Sequence, residues 1–316
     1  MSPPPGSEHF APRRRWRLVM GPLFGLACLA ATLTGVVVLS VLLGAVISAA
    51  MRRPGVHPWY EVSENARALG AFLRALLTRK GSSEPELAGF RVGIAGSLWL
   101  LGLVALFAIP VGVGAAVFLE EYTPPGRLRR IIQTNIANLA GVPSIVYGIL
   151  GLAVFVRAFG WKNLALGPTL WAGALTLGLL ILPVIVIATQ EALRAVPNSL
   201  RQAALALGAT RWQVIRDHVL PSALPGILTG TILGLSRAIG ETAPLLMVGA
   251  AGSIRRLPRG PGDLYTALPV EIYNYAKEPS TEFQTVAAGG ILILLILLLT
   301  MNATAIVIRH RYGRAH

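Results

Sequence analysis

Long apolar runs alternate with short charged segments along this chain of 316 residues. Six runs are long enough to cross a bilayer core of about 30 Å as helices, because each helical residue advances about 1.5 Å. Prolines occur inside several runs, and membrane helices tolerate proline where neighbouring helices re-satisfy the freed carbonyls. The pattern therefore predicts an all-α integral membrane protein with a packed bundle. The six predicted spans are 18–51, 92–119, 136–156, 169–189, 224–250 and 286–308.

The segments outside the spans divide the remainder of the chain. Residues 1–17 begin polar and proline-rich and end in arginines, which predicts a disordered tail. The apolar run 18–51 is much longer than the roughly 7–15 apolar residues of a signal peptide, so we interpret it as the first membrane helix. A long loop, 52–91, precedes the second span, and a basic tail, 309–316, follows the last.

The 52–91 loop contains one periodic stretch. Leu69, Phe72, Leu73, Leu76 and Leu77 recur at the spacing of one helical face, which predicts an amphipathic helix. Two interpretations have equal weight. The helix lies on the outer membrane interface or against a partner, or it packs on the loops of the bundle itself.

Composition excludes several classes of protein. Charged residues make up 13% of the chain, about half of what soluble domains carry. The net charge of +14 does not indicate nucleic-acid binding, because the arginines flank apolar runs, where they favour contact with anionic lipid headgroups. No G-x-x-x-x-G-K-[ST] motif occurs, and all five histidines lie outside the spans. We therefore expect no catalytic residue, no metal site and no cofactor in this chain.

Charge also sets the expected orientation. Six spans place both termini on the same side of the membrane. Four arginines, Arg13, Arg14, Arg15 and Arg17, come directly before the first span, and basic residues favour the cytoplasmic side. We expect both termini in the cytoplasm.

The segment between the fourth and fifth spans, 190–223, has the sequence signals of two short helices. Ser199 with Gln202 and Thr210 with Gln213 have the spacing of capping boxes, and Gly208 lies between them as a C-cap. These signals predict one helix over about 200–207, a tight turn, and a second helix from 211 that stops near Pro221.

The same segment resembles the "EAA" loop of ABC-importer permeases. That loop has Glu-Ala-Ala, three residues, Gly, nine residues, and then Ile-x-Leu-Pro. Here the tripeptide at 202–204 stands three residues before the glycine, and the sequence 218–221 follows after nine more, with Gln in place of the Glu and His in place of the Ile. The resemblance implies a coupling helix that docks on a cytoplasmic ATPase subunit. The candidate coupling residues are Gln202, Ala203, Ala204, Gly208 and Arg211.

An ionisable pair, Arg237 and Glu241, lies inside the fifth span, four residues apart and therefore on one helical face. Counted from Leu224, Arg237 lies about 20 Å along the run, near the middle of the membrane. A charge there costs at least about 2.5–3.5 kcal/mol, so it faces a partner or an aqueous path. The pair is either a structural salt bridge or, the interpretation we prefer, part of an anion path that includes Ser236 and Thr242.

Further stretches resemble the permeases of the phosphate-specific transporter (Pst) family, its A-type subunit in particular. They are 236–246 (SRAIGETAPLL), 138–156, 268–275 and 301–303. The resemblance implies a six-helix type I ABC-importer permease bundle, with its core at 92–308, in the inner membrane of a bacterium. It implies ATP-driven phosphate import by alternating access. The implied partners are a second homologous permease, two cytoplasmic ATPase subunits and an extracytoplasmic phosphate-binding protein.

Two alternatives stay open. A permease of the same fold could carry another oxyanion, such as sulfate or molybdate. A chain of a different class, a stand-alone channel or ion-driven carrier, would need no ATPase.

Overall fold

The computed structural model describes residues 14–51, 62–161, 163–250 and 254–313. Parts of three expected segments lie outside these ranges: 1–13 of the first tail, 52–61 of the long loop, and 314–316 of the last tail. Within the described ranges every regular element is a helix, which confirms the all-α prediction. In chain order the α-helices are α1 (Arg14–Met51), α2 (Val62–Thr78), α3 (Arg91–Val117), α4 (Arg127–Ala140), α5 (Ser144–Gly151), α6 (Leu170–Arg194), α7 (Asn198–Ala206), α8 (Arg211–Val214), α9 (Leu220–Gly240), α10 (Ala243–Val248), α11 (Leu268–Lys277) and α12 (Thr281–Gly313).

Five helical stretches among the described residues are long and apolar enough to cross a membrane. They correspond to the predicted first, second, fourth, fifth and sixth spans. Short π-helical turns extend three of the α-helices, at Phe118–Tyr122 after α3, Leu152–Val156 after α5 and Ile215–Val219 after α8. The five stretches are Pro22–Met51, Arg91–Tyr122, Leu170–Arg194, Arg211–Gly240 and Thr281–Val307.

The predicted third span, 136–156, is not one straight helix. Its two halves belong to α4 and α5, whose axes are bent by 100°. Pro143 has no N–H to donate to the carbonyl of Leu139, four residues earlier, so a continuous helix would leave that carbonyl unpaired. The hydroxyl of Tyr147 donates to it instead, at 2.9 Å. The prediction of a span over 136–156 did not include this bend, because both halves are apolar and hydropathy does not register the break.

The chain divides into two compact units, Met1–Ser48 and Ala49–His316. The first unit, in its described part, is most of α1, a helix that passes through Pro22. The second unit holds the helices from α2 to α12 and both clusters of buried apolar side chains.

Within the second unit α6 is the most buried of the spanning stretches, and it packs along both α3 and α9. Gly226, Gly230 and Gly234 form the surface of α9 that meets α6. A Cβ added at Gly230 would lie 2.2 Å from the Cβ of Ala188, closer than side chains approach. Small residues one turn apart bring membrane helices into close contact, and here they fix the position of α9 on α6.

Helix α2 packs on the chain's own bundle. Its buried Phe72 and Leu76 lie over Gly289 of α12, while Leu77 on the same predicted face stays partly exposed. The backbone N–H of Phe90 donates to the carbonyl of Leu76 at 2.7 Å, which ties the end of α2 to the start of α3.

Candidate translocation site and coupling loop

The predicted fifth span, 224–250, is broken at its charged pair. Helix α9 ends at Gly240, Glu241 is extended with a ψ of 116°, and α10 begins at Ala243. Pro244 causes the break, since it cannot donate to the carbonyl of Gly240 and its ring would clash with it in a continuous helix. The prediction of a helix through to 250 was therefore wrong, although Gly240 and Pro244 were visible signals of a break.

The start of this spanning stretch also differs from the prediction. The helix from Arg211 does not stop near Pro221; it continues through the π-helical turn Ile215–Val219 into α9 and reaches Gly240. In a π-helical turn each backbone N–H bonds to the carbonyl five residues earlier instead of four. The missing N–H of Pro221 therefore comes directly after a turn whose backbone hydrogen bonds are already shifted by one residue. Because the helix ends at Gly240, Arg237 lies in its last turn.

Arg237 and Glu241 form an ion pair across the end of α9. The Nε of Arg237 donates to Oε1 of Glu241 at 3.3 Å. The arginine side chain is still 42% exposed, whereas Glu241 is mostly buried. A guanidinium has five N–H donors in a planar fork, and one carboxylate oxygen engages only part of that capacity. The geometry therefore positions a cation whose outer edge stays accessible.

The two flanking residues have different surroundings. The Oγ of Ser236 lies 2.5 Å from Oδ1 of Asn302, so it joins α9 to α12. Thr242 precedes α10 in the break and is half-buried. Asn302, which sequence reasoning did not assign to the site, thus contacts it through Ser236.

Helix α5 supports the far side of the break. A Cβ on Gly148 would lie 2.7 Å from the Cα of Pro244 and 2.9 Å from the Cβ of Met247, so α5 and α10 are in close backbone contact. Only glycine permits this approach. The bent α4–α5 pair and the broken α9–α10 pair therefore meet at one place, beside Arg237 and Glu241.

The loop between α6 and α9 contains the short helices that the sequence predicts, with one capping difference. Helix α7 follows Pro197 without a side-chain cap, so the predicted capping box at Ser199 was wrong. The box between Thr210 and Gln213 is confirmed. Gly208 has φ of 84°, and the N–H groups of Gly208 and Ala209 bond back to α7 at 3.0 and 3.2 Å, as in a Schellman C-cap.

The five candidate coupling residues do not all face outward. Gln202, Ala203, Gly208 and Arg211 are exposed, whereas Ala204 is buried in the apolar cluster beneath the loop. The guanidinium of Arg211 lies 5.6 Å from the centre of the Tyr122 ring in the same chain.

Three exposed apolar side chains, Leu205, Leu207 and Trp212, adjoin these residues, and none of them was predicted to take part in coupling. Leu207 is 89% exposed and Trp212 is more than half exposed. Leu207 and Trp212 flank the Gly208 turn, and that position was the available signal. Exposed apolar groups with a polar rim are typical of a protein contact surface.

An ionic cluster, also missed by sequence reasoning, lies at the same end of the molecule. Glu120, in the π-helical turn after α3, pairs with Arg129 of α4 and with Arg194 of α6, the latter at 2.6 Å. Arg194 also meets Glu191 at 3.1 Å. The adjacent acids at the end of the second span were its sequence signal, but their partners are distant along the chain.

A second unusual group lies near the other end of α3. Glu271 of α11 is 1% exposed, and a Cβ on Gly93 would lie 2.5 Å from its Oε2. Burial raises the pKa of this carboxyl to about 8, because a charged carboxylate is disfavoured away from water. Glu271 is therefore protonated in this fold at neutral pH.

Apolar spanning helices, a break that exposes a cation and a helical loop with an exposed apolar surface are the architecture of a membrane transport permease. The chain belongs to the family of binding-protein-dependent transport system inner membrane components, whose family model matches residues 108–311. It is therefore a multi-pass component of the inner membrane.

Comparison with individual proteins agrees with this family. The probable ABC transporter permease protein YqgI of Bacillus subtilis is 35% identical over 241 residues, which cover 72% of this chain and 80% of that protein. The phosphate transport system permease protein PstA of Haemophilus influenzae is 36% identical, covering 72% and 78%. PstA 1 of Mycobacterium tuberculosis is 39% identical, covering 68% of each chain.

Solved structures share the fold at low sequence identity. A bacterial ABC transporter involved in the import of the acidic polysaccharide alginate aligns with a TM-score of 0.60 at 18% identity, over 93% of this chain and 98% of that one. The inward-facing MetNI methionine ABC transporter aligns with a TM-score of 0.55 at 22% identity, over 73% and 99%. These alignments confirm the type I ABC-importer fold.

Proposed function

We propose that this chain is a permease subunit of an ATP-driven phosphate importer. The observation that carries the proposal is the accessible guanidinium of Arg237, held by Glu241 at a break in a spanning helix. The relatives that are named as phosphate transport permeases give the substrate. A cation at this point lowers the cost of moving a bare anion through an apolar bundle.

Glu241 has two roles in this proposal. It holds Arg237 in one orientation, and it accepts a hydrogen bond from the substrate. Hydrogen phosphate carries a proton that it can donate to a carboxylate, whereas sulfate is fully deprotonated and cannot. The pair therefore favours phosphate over sulfate. The site binds weakly, because a tight site in a conduit would trap the ion.

The proposed assembly has a second, homologous permease that covers the exposed face of Arg237 and completes the path. Two ATPase subunits dock in the cytoplasm, and an extracytoplasmic phosphate-binding protein delivers the ion. Both termini lie in the cytoplasm, so the tails 1–17 and 309–316 are cytoplasmic and the 52–91 loop is outside. Hydrolysis of ATP belongs to the separate subunits, and this chain is not itself an enzyme.

Coupling takes place through the loop 190–223. In the proposal the ATPase contacts Gln202, Ala203, Gly208 and Arg211, together with the apolar side chains beside the Gly208 turn. Ala204 does not contact the ATPase in this proposal. It contributes indirectly, because its contacts with the buried apolar cluster hold α7 in place. Movement of the loop alternates access to the path from the two sides of the membrane.

The test is reconstitution of this chain with the second permease, the ATPase subunits and the binding protein in liposomes. We expect ATP hydrolysis to rise when phosphate is added and not when sulfate or molybdate is added. Stimulation by sulfate would instead support a permease for another oxyanion. Phosphate transport by this chain alone, without ATPase subunits, would identify a stand-alone channel or carrier and refute the proposal.

A further inference from the structure

Glu121 connects the end of α3 to the coupling loop. It lies in the π-helical turn Phe118–Tyr122, directly after the acid that pairs with α4 and α6. Its Oε1 accepts from Nη2 of Arg201 at 2.8 Å and from Nε at 3.2 Å. Arg201 belongs to α7, and both side chains are mostly buried.

The guanidinium of Arg201 also donates hydrogen bonds to backbone carbonyls at the end of α6. Its Nη2 donates to the carbonyl of Leu193 at 2.8 Å and its Nη1 to the carbonyl of Val196 at 2.7 Å. Both carbonyls lie at or just beyond the C-terminus of α6, where helical acceptors are left over, so the arginine adds donors there; the carbonyl of Leu193 also accepts from the N–H of Val196 at 3.3 Å. One planar side chain therefore joins three segments, the end of α3, the end of α6 and α7. A lysine, with a single ammonium, does not reproduce this fork.

Further back along α3, two side chains lie close to the residues that follow Arg237. Leu100 and Val104 of α3 line a small cavity together with Ala238 and Ile239, the residues next to Arg237. The distance from this cavity to Glu121 along α3 is about 25–32 Å at 1.5 Å per residue. Helix α3 and the π-helical turn that follows it run without interruption between Glu121 and this cavity, and α3 packs along α6.

We propose that the Glu121–Arg201 pair is the positioning link that transmits movement of the coupling loop to α3 and so to the path beside Arg237. The inference rests on the proposed function, in which an ATPase moves the loop. It assigns to this pair a role in the efficiency of coupling and not in docking, because both side chains face the interior of the chain.

The experiment uses the complete assembly in proteoliposomes and measures phosphate transported per ATP hydrolysed, basal ATP hydrolysis and the amount of ATPase subunit that co-purifies. Glu121→Gln removes the charge and keeps the shape. We expect the transport ratio to fall on the order of tenfold, while basal hydrolysis and co-purification stay unchanged. The matched control is Glu282→Gln, which removes an exposed acid of α12, outside the coupling loop, and leaves the ratio unchanged.

A double-mutant cycle tests whether the two residues act together. If Arg201 acts through Glu121, the Glu121→Gln/Arg201→Gln double variant transports no less per ATP than Arg201→Gln alone. An unchanged ratio in Glu121→Gln, or losses that simply add in the double variant, would overturn the inference. If the Arg201→Gln variant fails to assemble with the partner subunits, the transport ratio of the Glu121→Gln variant decides by itself. An unmodified assembly without phosphate-stimulated hydrolysis overturns the proposed function and this inference with it.

Discussion

At the scale of single residues, Arg237 combines a fixed position with an accessible charge. Glu241 engages its Nε, and Pro244 makes the break that leaves the guanidinium at the end of a helix and not inside a continuous one. An arginine buried in a closed salt bridge has no capacity left for a substrate. The partial exposure of Arg237 is the feature that supports its proposed role in the path.

Replacement of Arg237 tests this role directly. We expect Arg237→Ala to lower the initial rate of phosphate uptake by the assembly by about tenfold or more, because a charged hydrogen bond to the ion is worth about 1.5–3 kcal/mol. Arg237→Lys keeps the charge without the fork and should retain part of the rate. Arg130→Ala, which removes an exposed arginine of α4, is the control. Normal phosphate uptake by the Arg237→Ala variant would show that the pair of Arg237 and Glu241 has only a structural role.

The buried carboxyl of Glu271 leads to a prediction about how thermal stability depends on pH. Its pKa is raised by burial from 4.5 to about 8, so the folded chain holds a proton that the unfolded chain releases above pH 4.5. Its contribution to stability is therefore greatest below pH 4.5 and is lost as the pH rises toward 8. In a detergent-solubilised melting series from pH 5 to pH 8, Glu271→Gln should lose less melting temperature with rising pH than the unmodified chain. Equal slopes would contradict the burial of a protonated carboxyl.

Some contacts of single residues could be predicted from the sequence, and others could not. The pair Arg237 and Glu241 is evident because charges are rare in an apolar run. The contact of Ser236 with Asn302 and the bond from Tyr147 to Leu139 are not, since each depends on how a helix bends or packs. Ala204 fits the coupling motif in sequence, yet three-dimensional packing places it beneath the loop.

At the scale of helices, the breaks matter more than the spans. The predicted spans 136–156 and 224–250 are both interrupted, each at a glycine followed by a proline within four residues. Hydropathy cannot locate these breaks, because the sequence is apolar on both sides. Hydropathy also could not predict that the helix continues through Pro221. The π-helical turn that permits this continuation is defined by backbone hydrogen bonds and not by the residue pattern.

The glycine surface of α9 makes a prediction at this scale. A leucine at position 230 would collide with Ala188 of α6, and overpacking of a well-packed contact costs about 1–3 kcal/mol. We expect Gly230→Leu to lower the melting temperature and the yield of monodisperse protein in detergent. Gly102→Leu, on α3 with open space around it, is the matched control. Equal behaviour of the two variants would show that α6 and α9 do not pack as described.

At the scale of the whole molecule, the second unit has unusual groups near both ends of α3. One end carries the exposed loop with Leu207 and the ionic cluster around Glu120. The other end has the buried Glu271. Between them lies the break beside Arg237. A stand-alone channel has no use for an exposed apolar surface at a helical loop, and a permease driven by a separate ATPase requires one.

The family and the type I fold were accessible from the sequence, because the segments 202–221 and 236–246 carry specific motifs. The pairing of Glu121 with Arg201 was not, because 80 residues separate them along the chain. This contact between the turn after α3 and α7 appears only in the folded chain, and the proposed coupling link rests on it.

ATP-driven phosphate import is tested most directly by the accumulation of phosphate in proteoliposomes that contain this chain and its partner subunits, with ATP on the side of the ATPase subunits. We predict accumulation that requires both the ATPase subunits and ATP hydrolysis, and that stops with a non-hydrolysable analogue. Phosphate accumulation that persists without ATPase subunits would contradict the account.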